Sequence, residues 1–277
     1  MEYDPLHVLP RSGCRGESVA CCTARVTTQE YRERGIDWAV VGSVGGFFSL
    51  RMGERAGGRH VTLARCYESD QRDAESDPLT FRVAKVAARL AAPEDRVAAS
   101  VAQLGLAARL WSLALGPAAL YGRVPDLDPE RLLWDADGTS PDDLRLTGDR
   151  TFPADAARVH EVVHDGHLAP LARALRARFR VSPALLRGNA GSALAGAARE
   201  LHAWAAREGR PDVGERALDL AAELFAHPSL AATGTLDGTA FRRRSCCLYY
   251  RCPNGGLCGD CCFDRPPSRS SHGAASG

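Results

Sequence analysis

Six cysteines lie close together near the end of the sequence, within SCCLYYRCPNGGLCGDCCFDR at residues 245–265. Cysteine thiolates are ligands for zinc and for iron–sulfur clusters. The glycine of the Cys-Gly-Asp-Cys element at 258–261 permits a tight turn, and the Pro-Asn-Gly-Gly turn at 253–256 folds the preceding cysteine pair back toward it. Four cysteines with the spacing C-C-x10-C-x2-C are therefore predicted to converge on one metal centre: Cys246, Cys247, Cys258 and Cys261.

Two kinds of metal centre suit four thiolates. Structural zinc sites usually combine two C-x2–4-C elements, and two adjacent cysteines seldom both reach one small tetrahedral ion. A [2Fe-2S] cluster distributes its ligands over two irons, so an unconventional spacing is easier to accommodate. The spacing alone favours a [2Fe-2S] cluster and leaves zinc open.

The remaining cysteines are not needed for this centre. Met1–Asp4 is acidic and no export signal follows, so we expect a cytoplasmic chain with reduced thiols. Cys252 and Cys262 are interpreted as bystanders, although either remains open as an alternative ligand. The other four are interpreted as small buried or free thiols: Cys14, Cys21, Cys22 and Cys66.

The segment RRRSCCLYYRCPNGGLCGDCCF (242–263) closely resembles the C-terminal signature of the FhuF-like ferric siderophore reductase family. Two upstream segments, ASVAQLGLAARLWSLALGPAAL (99–120) and HLAPLARALRARFRVSPALLRGNAGSAL (167–194), are also similar to this family. The resemblance implies one-electron reduction of ferric iron in a siderophore, of the hydroxamate type, after import into the cytoplasm. It also implies that the same four cysteines hold a [2Fe-2S] cluster: Cys246, Cys247, Cys258 and Cys261.

Arginines surround the cysteines and suggest contacts with partners. Arg243 and Arg244 lead into the cysteine segment and Arg251 lies within it, so these three are predicted to contact the siderophore or an acidic electron donor. The sequence has no dinucleotide or P-loop fingerprint, so a reductase would need an external donor such as a ferredoxin or its reductase. The balanced net charge of +1 does not indicate nucleic-acid binding.

Two other classes of function stay open at this point. One is a non-enzymatic iron–sulfur protein that acts as a redox or iron sensor or as an electron carrier. The other is a zinc-stabilised binding module, which would contain no sulfide.

A second pattern, HEVVH at 160–164, fits the H-E-x-x-H zinc motif, in which two histidines bind the ion and Glu161 acts as a base. Gly166 and Pro170 predict that the helix ends just after the motif, and the longer metzincin spacing is absent. Glu200 could serve only as a distant third ligand. We therefore interpret His160 and His164 as surface or packing histidines and expect no peptidase activity.

The elements that must position these residues are mostly helical, and the sequence predicts an α+β, mainly α-helical fold. Ala, Leu and Arg recur at helical spacing in the middle of the chain, interrupted by a hairpin near 131–150. A small β component is expected in the N-terminal third, where 59–67 reads as a strand and 41–50 as a strand or turn. No apolar run reaches the roughly 20 residues of a membrane span, so no integral membrane segment is predicted. Peripheral association with the inner face of the membrane remains compatible with the sequence.

Composition shifts divide the chain into four parts. The predicted parts are a mixed α/β region at 1–80, a mainly helical region at 81–239, a [2Fe-2S]-binding segment at 240–264 and a disordered tail at 265–277.

Overall fold

The computed structural model describes residues 35–53, 60–68 and 77–267. Cys14, Cys21 and Cys22, together with most of the expected tail, lie outside the described residues. Helices make up most of what is described and the sheets are small, which confirms the predicted α+β, mainly helical class.

The helices begin at recognisable sequence signals. Asp77 caps one helix by accepting a hydrogen bond from the backbone N–H of Leu79 at 3.1 Å, and Pro78 occupies its first position. In chain order the helices are α1 (Trp38–Ser43), α2 (Leu63–Tyr67), α3 (Pro78–Leu90), α4 (Asp95–Tyr121), α5 (Ala156–His160), α6 (Ala169–Arg178), α7 (Pro183–Arg207), α8 (Pro211–Ala226) and α9 (Pro228–Ala231), with a π-helix (Glu161–Leu168) between α5 and α6 and 3-10 helices at Gly46–Phe48 and Tyr249–Arg251.

The strands are short and form three small sheets. They are β1 (Arg51–Met52), β2 (Val61–Thr62), β3 (Arg123–Pro125), β4 (Leu132–Trp134), β5 (Leu144–Leu146), β6 (Thr151–Pro153), β7 (Gly234–Asp237) and β8 (Ala240–Arg243). The first sheet has the order β1-β5-β4-β2, and β3 pairs with β6 and β7 with β8. Trp134 on β4 lies opposite Leu144 on antiparallel β5, which confirms the predicted hairpin near 131–150.

Helix α4 is the centre of the hydrophobic core and packs along α7 and α3. The buried indole Nε1 of Trp111 on α4 donates to the carbonyl oxygen of Ala190 on α7 at 3.0 Å. Among the described helices α4 alone is long and apolar enough to cross a membrane, yet 72% of its apolar window is buried inside the protein. It therefore packs as the core helix of this fold.

The structure corrects three local expectations. Residues 41–50 contain the end of α1 and a 3-10 turn, because Asp37 caps α1 through the Ala39 amide at 2.9 Å. The predicted strand at 59–67 is strand only at Val61–Thr62, since Thr62 caps α2. The helix that contains HEVVH continues through Arg178. The π-turn just ahead of Pro170 widens the helix where a regular α-helix would make the proline ring clash with a carbonyl.

Candidate metal centre

The cysteine segment follows β8 and is folded by backbone turns. Leu248 adopts a left-handed conformation (φ 68°), uncommon for a residue with a branched side chain, and its N–H donates to Cys246 Sγ at 3.2 Å. Gly255 is required in the second turn, because a Cβ there would lie 2.0 Å from the carbonyl oxygen of Tyr249. The Cys261 amide closes the third turn on the Cys258 carbonyl at 3.1 Å. The chain thus returns the second pair of cysteines toward the first.

The predicted ligand thiols interact with one another. A hydrogen bond with Cys247 lowers the pKa of the Cys246 thiol and raises the pKa of the Cys258 thiol, while the bond to Cys246 raises the pKa of Cys247 itself. The charge of Cys261 also acts on Cys246. The four thiols are therefore close enough to influence one another, and a metal centre would replace their protons.

Polar side chains from the two long helices α4 and α7 support the Cys246–Cys247 pair. Ser100 on α4 donates from Oγ to the Cys247 carbonyl at 2.7 Å, and Asn189 on α7 donates from Nδ2 to the Ser100 carbonyl at 2.9 Å. Arg243 completes the chain of contacts, since its Nη2 donates to Asn189 Oδ1 at 2.6 Å. Ser100, Asn189 and Arg243 are all buried, so the vicinal pair rests on a buried polar network in which Arg243 Nη1 alone lacks a partner among the described residues.

The second pair is anchored separately through Asp260. This buried carboxylate accepts from the Ser192 hydroxyl and from Arg199 Nη1 at 3.3 Å, both on α7. Gly191 lets the β7–β8 hairpin approach α7, because a Cβ there would lie 2.4 Å from Thr233 Oγ1. Helix α7 therefore positions both halves of the cysteine segment.

Comparison with protein families matches residues 243–263 to the family described as the FhuF 2Fe-2S C-terminal domain. The C-terminal segment is a FhuF-type [2Fe-2S] domain. Comparison with curated proteins finds no matching relative. The resemblance found in the sequence is thereby confirmed over the cysteine segment, and the chain is an iron–sulfur protein with a [2Fe-2S] cofactor.

The residues around the thiols of the FhuF-type domain suit that cofactor. Arg243 is 2% exposed, and its Nη1 has no hydrogen-bond partner among the described residues. Its positive charge acts on Cys247 and Cys258, where it favours the thiolate. A buried cation beside the sulfurs offsets the negative charge that a thiolate-bound cluster brings into the protein.

Cys252 and Cys262 lie in the same FhuF-type segment and differ in their surroundings. Cys252 is 1% exposed, whereas Cys262 is half-buried. Burial, together with the charge of neighbouring Cys261, raises the pKa of the Cys262 thiol. Phe263 donates its backbone N–H to Cys261 Sγ at 3.4 Å. Cys66 lies elsewhere in the core, and burial raises the pKa of its thiol to about 12, which fits a packing role.

The arginines that the sequence singled out occupy three different environments. Arg243 is buried and serves the polar network described above, so it does not face a substrate. Arg244 is exposed, and Arg251 forms an ion pair with Glu94 at 2.7 Å.

A cleft of about 510 Å³ opens beside Cys246. Two arginines that sequence reasoning missed, Arg96 and Arg180, contribute to its wall. Arg96 forms an ion pair with Glu94 at 2.5 Å, and Glu94 is the same residue that pairs with Arg251. Arg180 has no ion-pair partner in the described part of the chain, so its charge remains available to a ligand. No local motif marks these two positions, because Arg96 in the first turn of α4 and Arg180 just before α7 meet the cysteines only through the tertiary packing.

The HEVVH histidines are mostly buried and pack against other rings. The His160 side chain is 8% exposed and stacks on His164, with ring centroids 4.5 Å apart, and on His227 at 3.7 Å. Burial lowers the pKa of His160. Glu161 faces away and pairs with Arg158 at 2.6 Å, so the motif's general base is absent from the histidine cluster.

The α7 residues that anchor the FhuF-type domain carry a weak signal in the sequence. Gly188, Asn189, Gly191 and Ser192 form the small and polar run GNAGS on a buried stretch of α7. Polar residues and glycines on a helix face that is otherwise apolar indicate close approach of another segment.

Proposed function

We propose that this FhuF-type protein reduces ferric iron held in a siderophore, of the hydroxamate type, and releases Fe(II). We further propose that Cys246, Cys247, Cys258 and Cys261 hold the [2Fe-2S] cluster. The single observation that carries the proposal is the cleft beside Cys246, because a complex bound there would approach a cluster ligand directly.

The cleft has a suitable size and chemistry for such a complex. Its volume of about 510 Å³ is within the range of small-molecule sites. Arg96 and Arg180 offer several N–H donors, which match the oxygen-rich surface of a hydroxamate complex. Leu185 and Leu248 provide apolar wall on the same cleft. Arginine and leucine side chains together would orient the complex without displacing its iron ligands.

The chemistry follows from the preferences of iron. When bound, a [2Fe-2S] cluster supplies one electron at a time. Hard oxygen ligands hold Fe(III) far more strongly than Fe(II), so one electron loosens the iron without destroying the siderophore. The protein's part is to hold the complex close to Cys246 and to keep the network of Ser100, Asn189 and Arg243 dry beneath it.

The proposal includes a donor and a location. The electron would come from an external protein such as a ferredoxin or its reductase, because the sequence carries no flavin or nicotinamide fingerprint. The exposed Arg244 and the partly exposed Arg251 at the edge of the segment would attract an acidic donor. We place the reaction in the cytoplasm, with peripheral association at the inner face of the membrane compatible with it.

The test uses the full chain loaded with its cluster and reduced by dithionite, which is then removed under argon. A ferric tris-hydroxamate complex is mixed with it in a stopped-flow instrument, and the absorption of the oxidised cluster is followed while a chelator traps Fe(II). We expect reoxidation whose rate saturates with the ferric complex, with one Fe(II) trapped for each electron. Reoxidation no faster than in buffer would reject the reductase and leave an electron carrier or sensor.

A matched pair of variants tests the cleft. Arg180→Gln should raise the concentration of ferric complex needed for half-maximal rate several-fold. Arg207→Gln is the control, because Arg207 is also exposed but lies about 30 Å from the cleft along α7. Equal effects of the two variants would show that the cleft does not bind the complex.

A further inference from the structure

The HEVVH segment runs into the first half of the π-helix (Glu161–Leu168), and this irregularity brings an unexpected residue to the histidines. In a regular α-helix a side chain five residues further on lies about 140° around the axis. The wider π-turn instead places Asp165 beside His160 and His164. Ligand atoms of these three residues lie within 4.8 Å of one another. Single π-turns of this kind often occur at functional sites.

The three side chains direct their polar atoms at one another. Asp165 Oδ1 lies 2.8 Å from His164 Nδ1, and Asp165 Oδ2 lies 3.4 Å from His160 Nδ1. Both imidazoles are largely buried, with side chains 8% and 18% exposed, while the carboxylate is 59% exposed. The buried rings are therefore fixed, and the open side of the cluster lies at Asp165.

A hydrogen-bond chain fixes the tautomer of His160. The Ser229 backbone N–H donates to His227 Nδ1 at 3.3 Å, so that ring nitrogen carries no hydrogen. The Ser229 hydroxyl, 2.9 Å from the same nitrogen, must then donate to it as well, and its oxygen accepts from His160 Nε2 at 2.8 Å. With its proton on Nε2, His160 turns the lone pair of Nδ1 toward the Asp165 carboxylate.

Two acceptors that face each other repel unless a proton or a metal ion lies between them. Two imidazoles and one carboxylate are the ligand set that Fe²⁺ and Zn²⁺ use at sites with open coordination positions. Metal-binding histidines usually donate the hydrogen of their other ring nitrogen to a neighbouring group, which fixes the ring orientation. The hydrogen bond from His160 Nε2 to the Ser229 hydroxyl is a contact of this kind. We propose that His160, His164 and Asp165 bind one divalent first-row transition ion, such as Fe²⁺ or Zn²⁺, at a site separate from the [2Fe-2S] cluster.

The surroundings indicate what completes the coordination. His164 and Ser229 line a cleft of about 300 Å³ together with Arg173, Arg176 and Arg187. Three guanidinium groups beside a divalent ion attract an anion, so the open positions would take water or an anionic ligand. A peptidase is not implied, because Glu161 pairs with Arg158 outside the cluster.

The test is a Co²⁺ titration of the full chain with its [2Fe-2S] cluster in place, read by the visible bands of Co²⁺. We expect one Co²⁺ per chain with nitrogen and oxygen ligands, recognised by the lack of a thiolate charge-transfer band, and displaced by Zn²⁺ or Fe²⁺. Asp165→Asn should weaken binding about tenfold or more. His164→Gln should weaken it similarly.

Glu161→Gln is the matched control, since Glu161 and Asp165 lie on the same π-helix with side chains 61% and 59% exposed. It should bind Co²⁺ as the unaltered chain does. An unchanged cluster spectrum and unfolding midpoint without added metal show that each variant is folded. Equal weakening by Asp165→Asn and Glu161→Gln, or Co²⁺ bound only through thiolates, would overturn the proposal. The readout is bound metal, so the result does not depend on whether the chain reduces ferric complexes.

Discussion

The cysteine centre and the histidine centre lie against different sides of the first turns of α7 and are built in opposite ways. Cys246 shares a cleft with Ala184 and Leu185, whereas His164 shares another with Pro183 and Leu186. The cysteine segment has little regular structure and takes its rigidity from buried side chains on α4 and α7. The histidine centre lies within a continuous helix and depends on one backbone irregularity. Metal ligands on a loop must be held in place by side chains from other elements. Metal ligands on a helix depend instead on a helical pitch that places them on one face.

The largest expected effect separates cluster ligands from bystanders within the cysteine segment. Cys258→Ser should abolish the normal [2Fe-2S] cluster, because a serine hydroxyl stays protonated where a thiolate ligand is needed. Cys262→Ser should leave the cluster largely intact. Iron and sulfide analysis with absorption and EPR spectra of both proteins, purified without oxygen, measures this. Equal loss in the two variants would show that our choice of ligands is incorrect.

The sequence was most informative where the ligands lie close together along the chain. The cysteines and their turn residues fall within one short segment, so spacing and turn chemistry were enough to predict a metal centre. Ser100 and Asn189 contact that segment from positions far away in the sequence, and only the packing of α4 on α7 decides which of their neighbours they meet. Such long-range contacts leave no local pattern.

In the continuous helical segment at 156–178, which contains HEVVH, the local sequence signals were misleading. Gly166 and Pro170 are ordinary signals for the end of a helix, and they led to the expectation that the helix stops after HEVVH. The helix instead continues past Pro170, because the turn ahead of the proline is a wider π-turn. The same widening moves Asp165 onto the histidine face, which no spacing rule for α-helices predicts.

The next largest effect is the pH dependence of the unfolding free energy of the protein, which we attribute to His167. His167 is fully buried between the Tyr67 hydroxyl and the Leu127 carbonyl, and burial lowers its pKa to about 4. Above the ordinary pKa of 6.5 the ring is neutral in both folded and unfolded chains. As the pH falls from 6.5 toward 4, the unfolded chain binds a proton that the folded chain does not, so stability falls by up to about 3 kcal/mol.

Urea unfolding at several pH values between about 7 and about 5 measures this effect. His167→Gln should be less stable than the unaltered chain at neutral pH, because it loses a buried hydrogen bond. It should also lose less stability on acidification, since the titrating group is gone. Parallel slopes for the two proteins would rule out His167 as the cause.

A smaller effect tests the external anchors of the cysteine segment. Asp260→Asn weakens the contacts with Ser192 and Arg199 beneath the Cys258–Cys261 turn, at a cost of about 1–3 kcal/mol for a buried charged group. Asp264→Asn is the control, because Asp264 pairs with Arg242 at 2.8 Å but is 81% exposed. We expect a chelator to remove iron several-fold faster from Asp260→Asn than from Asp264→Asn. Equal rates would mean that this anchor does not protect the cluster.

The smallest effect tests whether α7 must approach the β7–β8 hairpin closely. Gly191→Ala would place a Cβ 2.4 Å from Thr233 Oγ1, 3.0 Å from Thr233 Cβ and 3.2 Å from the Phe241 ring. Because Thr233 is buried and its hydroxyl is hydrogen-bonded to Leu230, the strain should cost about 1–3 kcal/mol of unfolding free energy. Gly196→Ala on the same helix meets only Arg199 Nη2 at 3.9 Å and should stabilise by about 0.5–1 kcal/mol through helix propensity. If the two variants change the unfolding free energy in opposite directions in urea, the FhuF-type segment depends on this close contact. Stabilisation by both alanines would show that the hairpin can move away from α7 without loss of stability.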